Sequence, residues 1–151
     1  MYAGSGSGTH FYVSPTGNDG NPGTSAQPWQ SLDKLESVTL SPGDLVHVAA
    51  GTYTVNSSLS LTNSTGSAAA WIGIQAEGAV KIQNTAVQNV INVSGCTYLY
   101  LKGFEITHVN AGAYGTWDSV DGVKFQGSNS SFVSIDSCRI HDLGNVGVAV
   151  L

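Results

Sequence analysis

Along the chain, short alternations of apolar and polar residues are separated by turns rich in Gly, Ser and Asn. A period of two marks a half-buried strand. Segments 98–106 (YLYLKGFEI) and 132–140 (FVSIDSCRI) superpose position by position: Leu99 falls on Val133, Leu101 on Ile135, Phe104 on Cys138 and Ile106 on Ile140. Upstream, Ile72 and Ile74 lead to Val80 and Ile82 after a slightly longer turn, and earlier still Val46 and Val48 lead to Tyr53. A third short alternation closes each unit: Leu59 and Leu61, Ile91 and Val93, Val123 and Phe125, Val148 and Val150. The pattern therefore predicts four coils of three strands. Their first-strand positions 46, 72, 99 and 133 are separated by 26, 27 and 34 residues.

One triplet of strands cannot bury its apolar side alone, but stacked triplets can, each adding about 4.8 Å of rise and bringing like positions into contact. This is a parallel β-helix. An antiparallel sandwich would favour tight Asn-Gly hairpins, and none joins these segments. Coil lengths differ because extra residues leave at the turns. The longest excursion is 107–122 (THVNAGAYGTWDSVDG), and loops of that size on a regular scaffold often carry function. Before the first coil, Trp29, Leu32, Leu35 and Val38 recur at helical spacing after Pro28. That predicts a short helix covering the N-terminal end of the stack. The pattern stops inside an apolar strand at Val148, Val150 and Leu151, so self-association through the C-terminal coil end is expected.

Composition fits this picture. Charged residues are only 10% of the 151, and polarity comes mainly from Ser, Thr, Asn and Gly. The net charge is −5 and the five Lys and Arg are scattered, which excludes the clustered cations of a nucleic-acid surface. No apolar run reaches the roughly 18 residues of a membrane span. Residues 1–10 (MYAGSGSGTH) read as a flexible linker or appended tail, leaving 11–151 as one domain. Sequons begin at Asn56, Asn63, Asn92 and Asn129, a weak pointer to export. Cys96 is placed in a turn and Cys138 on a strand of the next coil, so no disulfide is expected between them.

The segment FYVSPTGNDGNPGTSAQPWQSLDKL, followed by PGDLVHVAAGTYT, resembles the opening of the family 9 polysaccharide lyases and their relatives. The matching residues are Ser14, Pro15, Gly17, Asp19, Gly23, Thr24, Pro28, Pro42, Gly43, Asp44, Val46, Val48, Gly51, Thr52 and Tyr53. The resemblance implies a right-handed parallel β-helix, an all-β fold of about four coils with a capping helix. It also implies a secreted protein acting on polysaccharide, with 11–151 as the N-terminal portion of a longer chain. In those lyases the calcium ligands and catalytic base lie on later coils, so no catalytic residue is carried over and this portion is expected to be inactive. A non-enzymatic extracellular module that assembles end to end is the alternative.

From the residues themselves, uronate β-elimination needs a cation to neutralise the sugar carboxylate and a base to take the adjacent proton. Calcium is the candidate cofactor, with Asp118 and Asp121 as the acidic pair on the long excursion. Tyr114 and Trp117 are the candidate sugar-stacking residues there. The same two carboxylates also suit ordinary turn chemistry. Lys81, Glu105 and Arg139 share one outward position on successive coils, and Lys102 and Asp136 share another, as expected of a charge ladder. His108 and His141, one residue out of register, are expected to be turn histidines at the surface.

Overall fold

The structure is a computed structural model that describes residues 8–86, 88–109, 120–127 and 129–150. Its strands form two parallel sheets. The first contains β1 (His10–Val13), β2 (Leu45–Val55), β4 (Ile72–Asn84), β6 (Thr97–His108) and β8 (Ser131–Asp136) in that spatial order, with β9 (Arg139–Ile140) also on β6. The second contains β3 (Leu59–Thr62), β5 (Ile91–Ser94), β7 (Val123–Phe125) and β10 (Val148–Val150). Every pairing between these strands is parallel and joins one coil to the next.

Inward side chains stack in columns. Phe11, Val46, Ile74, Leu101 and Ile135 form one, and Tyr53, Ile82, Ile106 and Ile140 another. Leu59, Ile91, Val123 and Val148 form the matching column of the second sheet. Residues in the middle coils are fully buried, whereas Val133, Ile135, Cys138 and Ile140 of the last coil are only partly so. The alignments of 98–106 with 132–140, and of the third strands with one another, hold in register.

Two expectations change. Val46 pairs with Ile74 rather than Ile72, so the first two coils are offset by 28 residues instead of 26. The cause is Asp44, which occupies the buried end of that strand where Ile72 and Leu99 stand in later coils. Its carboxylate accepts the N–H groups of Thr9 (2.7 Å) and Ser41 (2.8 Å), which satisfies the buried charge but hides the position from an apolar pattern. The helix is a single 3-10 segment, Leu32–Ser37, that buries Leu32 and Leu35 and packs on β3. Trp29 is not in it; it bridges Val13 in parallel fashion and stacks on Phe11, with centroids 5.1 Å apart.

The first and second strands of a coil run together as one bent strand in β2, β4 and β6. In β6 the bend is at Gly103, whose φ of 83° lies in the left-handed region where a side chain is disfavoured. One coil later Ser137 takes that place at φ 53°, and there β8 and β9 are separate strands.

Candidate functional site

In β1 and β2, Val13, Val46 and Val48 face inward, so Tyr12 and His47 between them face out. Register carries this outward column through Tyr12, His47, Gln75, Lys102 and Asp136. It is a row of aromatic, imidazole, amide, ammonium and carboxylate groups at the strand spacing of about 4.8 Å. Tyr12 and His47 stack, with centroids 4.7 Å apart and planes 11° from parallel.

His47 is held on both nitrogens. Its Nδ1 lies 2.7 Å from Glu77 Oε1, and its Nε2 lies 2.9 Å from His10 Nδ1. An ionised carboxylate only accepts, so His47 Nδ1–H donates to Glu77. His47 Nε2 and His10 Nδ1 share the second bond, with the donor set by the tautomer. The two imidazole centroids are 5.1 Å apart with planes 19° from parallel, a separation that places the rings nearly in line. Gln75 Nε2 also donates to Glu77 Oε1, at 2.7 Å. The hydrogen bond from His47, then that from Gln75, hold the Glu77 carboxyl below the usual carboxylate range and outweigh its slight desolvation.

This group opens onto a cleft of about 800 Å³ between the sheet and the 14–28 loop, lined also by Ser14, Thr16 and Ser25. The loop is tied down. Tyr12 N–H donates to Gly23 O and Ser14 N–H to Trp29 O, both at 2.8 Å. Asp19 accepts from the N–H groups of Gln30 and Ser31 and from the Ser31 hydroxyl. Burial alone raises the Asp19 pKa, but those bonds together with the Lys34 charge bring it below its ordinary value. The Trp29 indole N–H donates to Asn21 O, so the ring braces the loop from beneath.

A smaller cleft of about 380 Å³ runs beside the bends at Gly51 and Gly103 and is lined by Lys81, Glu105 and Arg139. Lys81 Nζ is 3.0 Å from Glu105 Oε1, and His141 Nε2 is 3.2 Å from the same oxygen. The three residues share one column as expected, and His141 joins them from the neighbouring position.

Of the residues singled out on the long excursion, Tyr114, Trp117 and Asp118 lie outside the described residues. Asp121 is buried. Its Oδ1 accepts from Asn145 Nδ2 at 2.9 Å, and its Oδ2 is 3.7 Å from Lys124 Nζ. Among the described residues no group of three or more His, Cys, Asp or Glu could hold a metal ion. His108 differs from expectation in being buried, with Nε2 donating to Ala86 O at 2.6 Å; it is one residue out of register with His141, as the alignment implies. Both cysteines are free.

The site at His47 was missed by reading inward positions alone. Its members are 35 and 30 residues apart, and a register of the outward positions would have aligned Tyr12 with His47.

Compared with known proteins, residues 11–150 match the family described as Pel9A-like, right handed beta helix region. No curated protein matches the chain. Among solved structures, it is similar to the GH136 lacto-N-biosidase from Eubacterium ramulus (TM-score 0.71, 23% identity, 91% of this chain and 27% of that one). A rhamnogalacturonan lyase gives 0.63 at 23% identity, covering 88% of this chain and 37% of that one. The pectate lyase Pel9A gives 0.58 at 23% identity, covering 93% and 38%. The chain thus spans less than two-fifths of the length of each of these neighbours. With residues 11–150 matched and the coils in parallel register, the chain belongs to the Pel9A-like family of right-handed β-helices.

Proposed function

We propose that this chain forms the N-terminal coils of a secreted carbohydrate-active protein, a polysaccharide lyase or glycosidase in its full length, and that it binds polysaccharide along the outward face of the first sheet. The observation that carries this reading is the column Tyr12, His47, Gln75, Lys102 and Asp136. It presents one ring or hydrogen-bonding group per rung, at a repeat close to the length of one sugar residue. The fold family and its polysaccharide-acting neighbours support the substrate class.

The 107–122 excursion, with Tyr114 and Trp117 to stack on sugar and Asp118 and Asp121 as the calcium candidates, belongs to the same proposal. Chelation is its direct test, since a calcium-dependent grip weakens in EDTA. These coils bind without cleaving, so incubation with pectate generates no absorbance from unsaturated uronate. Affinity electrophoresis through gels containing single polysaccharides tests the main reading. Retardation that diminishes in Tyr12→Ala and Lys102→Ala supports it; migration unaffected by every polysaccharide overturns it.

A second reading rests on the last coil. Phe132, Val146, Val148 and Val150 are exposed, with Val150 at 77%, and β8 and β10 are edge strands. An apolar end with unpaired backbone groups is a template for strand addition. End-to-end association through it gives a particle larger than 15.6 kDa in light scattering. A monomer at high micromolar concentration excludes it.

A further inference from the structure

The cleft at Tyr12 is more selective than the sheet as a whole. Its walls include the Tyr12 and His47 rings, the Ser14, Thr16 and Ser25 side chains, and the Glu77 carboxylate. Among the described residues, no Lys or Arg lines it. Lys102 of the outward column is not among the lining residues; it stands on β6, opposite Gln75 on the neighbouring β4. Glu77 Oε1 is occupied by His47 and Gln75, while Oε2 has no protein partner among the described residues. Ser14 Oγ and Thr16 Oγ1 sit 3.0 Å apart at the opposite wall, where they can donate as well as accept. His47 cannot turn away, because both its nitrogens are engaged and its face lies on Tyr12. The result is a fixed, partly aromatic floor with an open carboxylate acceptor on one side and hydroxyls on the other.

We infer that this cleft is a subsite for one uncharged sugar residue, whose hydroxyl donates to Glu77 Oε2 while its ring lies against the Tyr12–His47 stack. The inference rests on the polysaccharide-binding reading above and adds to it a position and a selectivity. A hydroxyl-rich ring supplies the donors that a bare carboxylate lacks and the apolar C–H face that an aromatic floor accepts. A uronate carboxylate in the same place meets the Glu77 carboxylate with no Lys or Arg among the described lining residues to offset it. In solvent at about 4 Å that repulsion corresponds to about fivefold weaker binding.

The test is titration of the whole chain, by calorimetry or protein-observed NMR, with cellotetraose, xylotetraose, galactotetraose and tetragalacturonate. At least one uncharged tetrasaccharide is expected to bind about fivefold or more tightly than tetragalacturonate. Ala26→Trp fills the cleft from an exposed wall position and is expected to abolish that binding while leaving the unfolding midpoint unchanged. Glu77→Gln is expected to weaken the uncharged ligand about tenfold, the loss of one charge-assisted hydrogen bond. It is also expected to remove the discrimination against the uronate. Undiminished binding by Ala26→Trp overturns the subsite but leaves polysaccharide binding elsewhere on the sheet intact. A uronate preference in the wild type that Glu77→Gln does not change overturns the selectivity. Failure of all four ligands on the wild type sinks this inference together with the reading beneath it.

Discussion

Truncating the same side chain in two adjacent coils measures how far each coil depends on a neighbour above it. Ile106 is fully buried, stacked between Ile82 and Ile140 in one inward column. Ile140 has the Ile106 contact on one side and is only partly buried. Ile106→Ala removes three carbons, about 2.4 kcal/mol of transfer free energy at about 0.8 kcal/mol each. It also leaves a cavity that two in-register isoleucines cannot close, which brings the cost to about 3–4 kcal/mol. Ile140→Ala deletes the same carbons where part of their surface already meets solvent and the void opens outward, so about 1–1.5 kcal/mol is expected. Urea unfolding followed by circular dichroism, at low and high protein concentration, gives both values. Equal costs at low concentration refute the reasoning, because they require the last coil to be as well packed as the middle one. A cost at Ile140 that grows with concentration means that association completes its burial.

Three further outcomes follow from the same contacts. Glu105→Gln leaves the urea midpoint unchanged, since its ion pairs with Lys81 and His141 are at the surface. Asp19→Ala lowers stability by about 1 kcal/mol through loss of its bonds from Gln30 and Ser31. The folded pKa of Asp19 is depressed, so its contribution is present above the unfolded carboxylate range, near pH 4, and is lost as pH falls through the folded value. Melting temperatures of wild type and Asp19→Ala should therefore converge in acid, and a gap that persists there contradicts the assignment. Cys96 and Cys138, whose thiol pKa values are raised first of all by burial, resist labelling in the native state and both label in denaturant without reductant. A mass unchanged by labelling in denaturant means that they are bonded.

The sequence disclosed the fold wherever apolar residues mark the inward positions. Ile72 over Leu99, Leu101 over Ile135 and the whole third-strand series stand in the register that their alternation implies. It misled where a polar residue does an apolar residue's structural task. Asp44 is satisfied by backbone N–H groups that no local pattern reveals, and the first coil's register slipped by two as a result. Helical spacing after Pro28 overstated the cap, because Trp29 belongs to a bridge with Val13 and only one 3-10 segment follows. His108 looked like a surface residue until its donation to Ala86 O placed it inside. The candidate site was the least legible part. A hydrogen bond between His47 and Glu77 depends on the stacking of separate coils, which is not encoded within a window of neighbouring residues.

The parallel register also bears on how the chain is made. Strands of the first sheet pair only with those one turn earlier or one turn later, and none reaches across the whole molecule. A polypeptide emerging from its N-terminal end can therefore add structure in the order of synthesis. The loop braced by Trp29, the 3-10 segment on β3 and the pairing of β1 with β2 involve residues that all precede Asn63. Once those residues are out, a template exists for β4, then β6, and every later turn meets a preformed edge rather than searching for a distant partner. Growth of this kind is vectorial, with the newest edge always the reactive one.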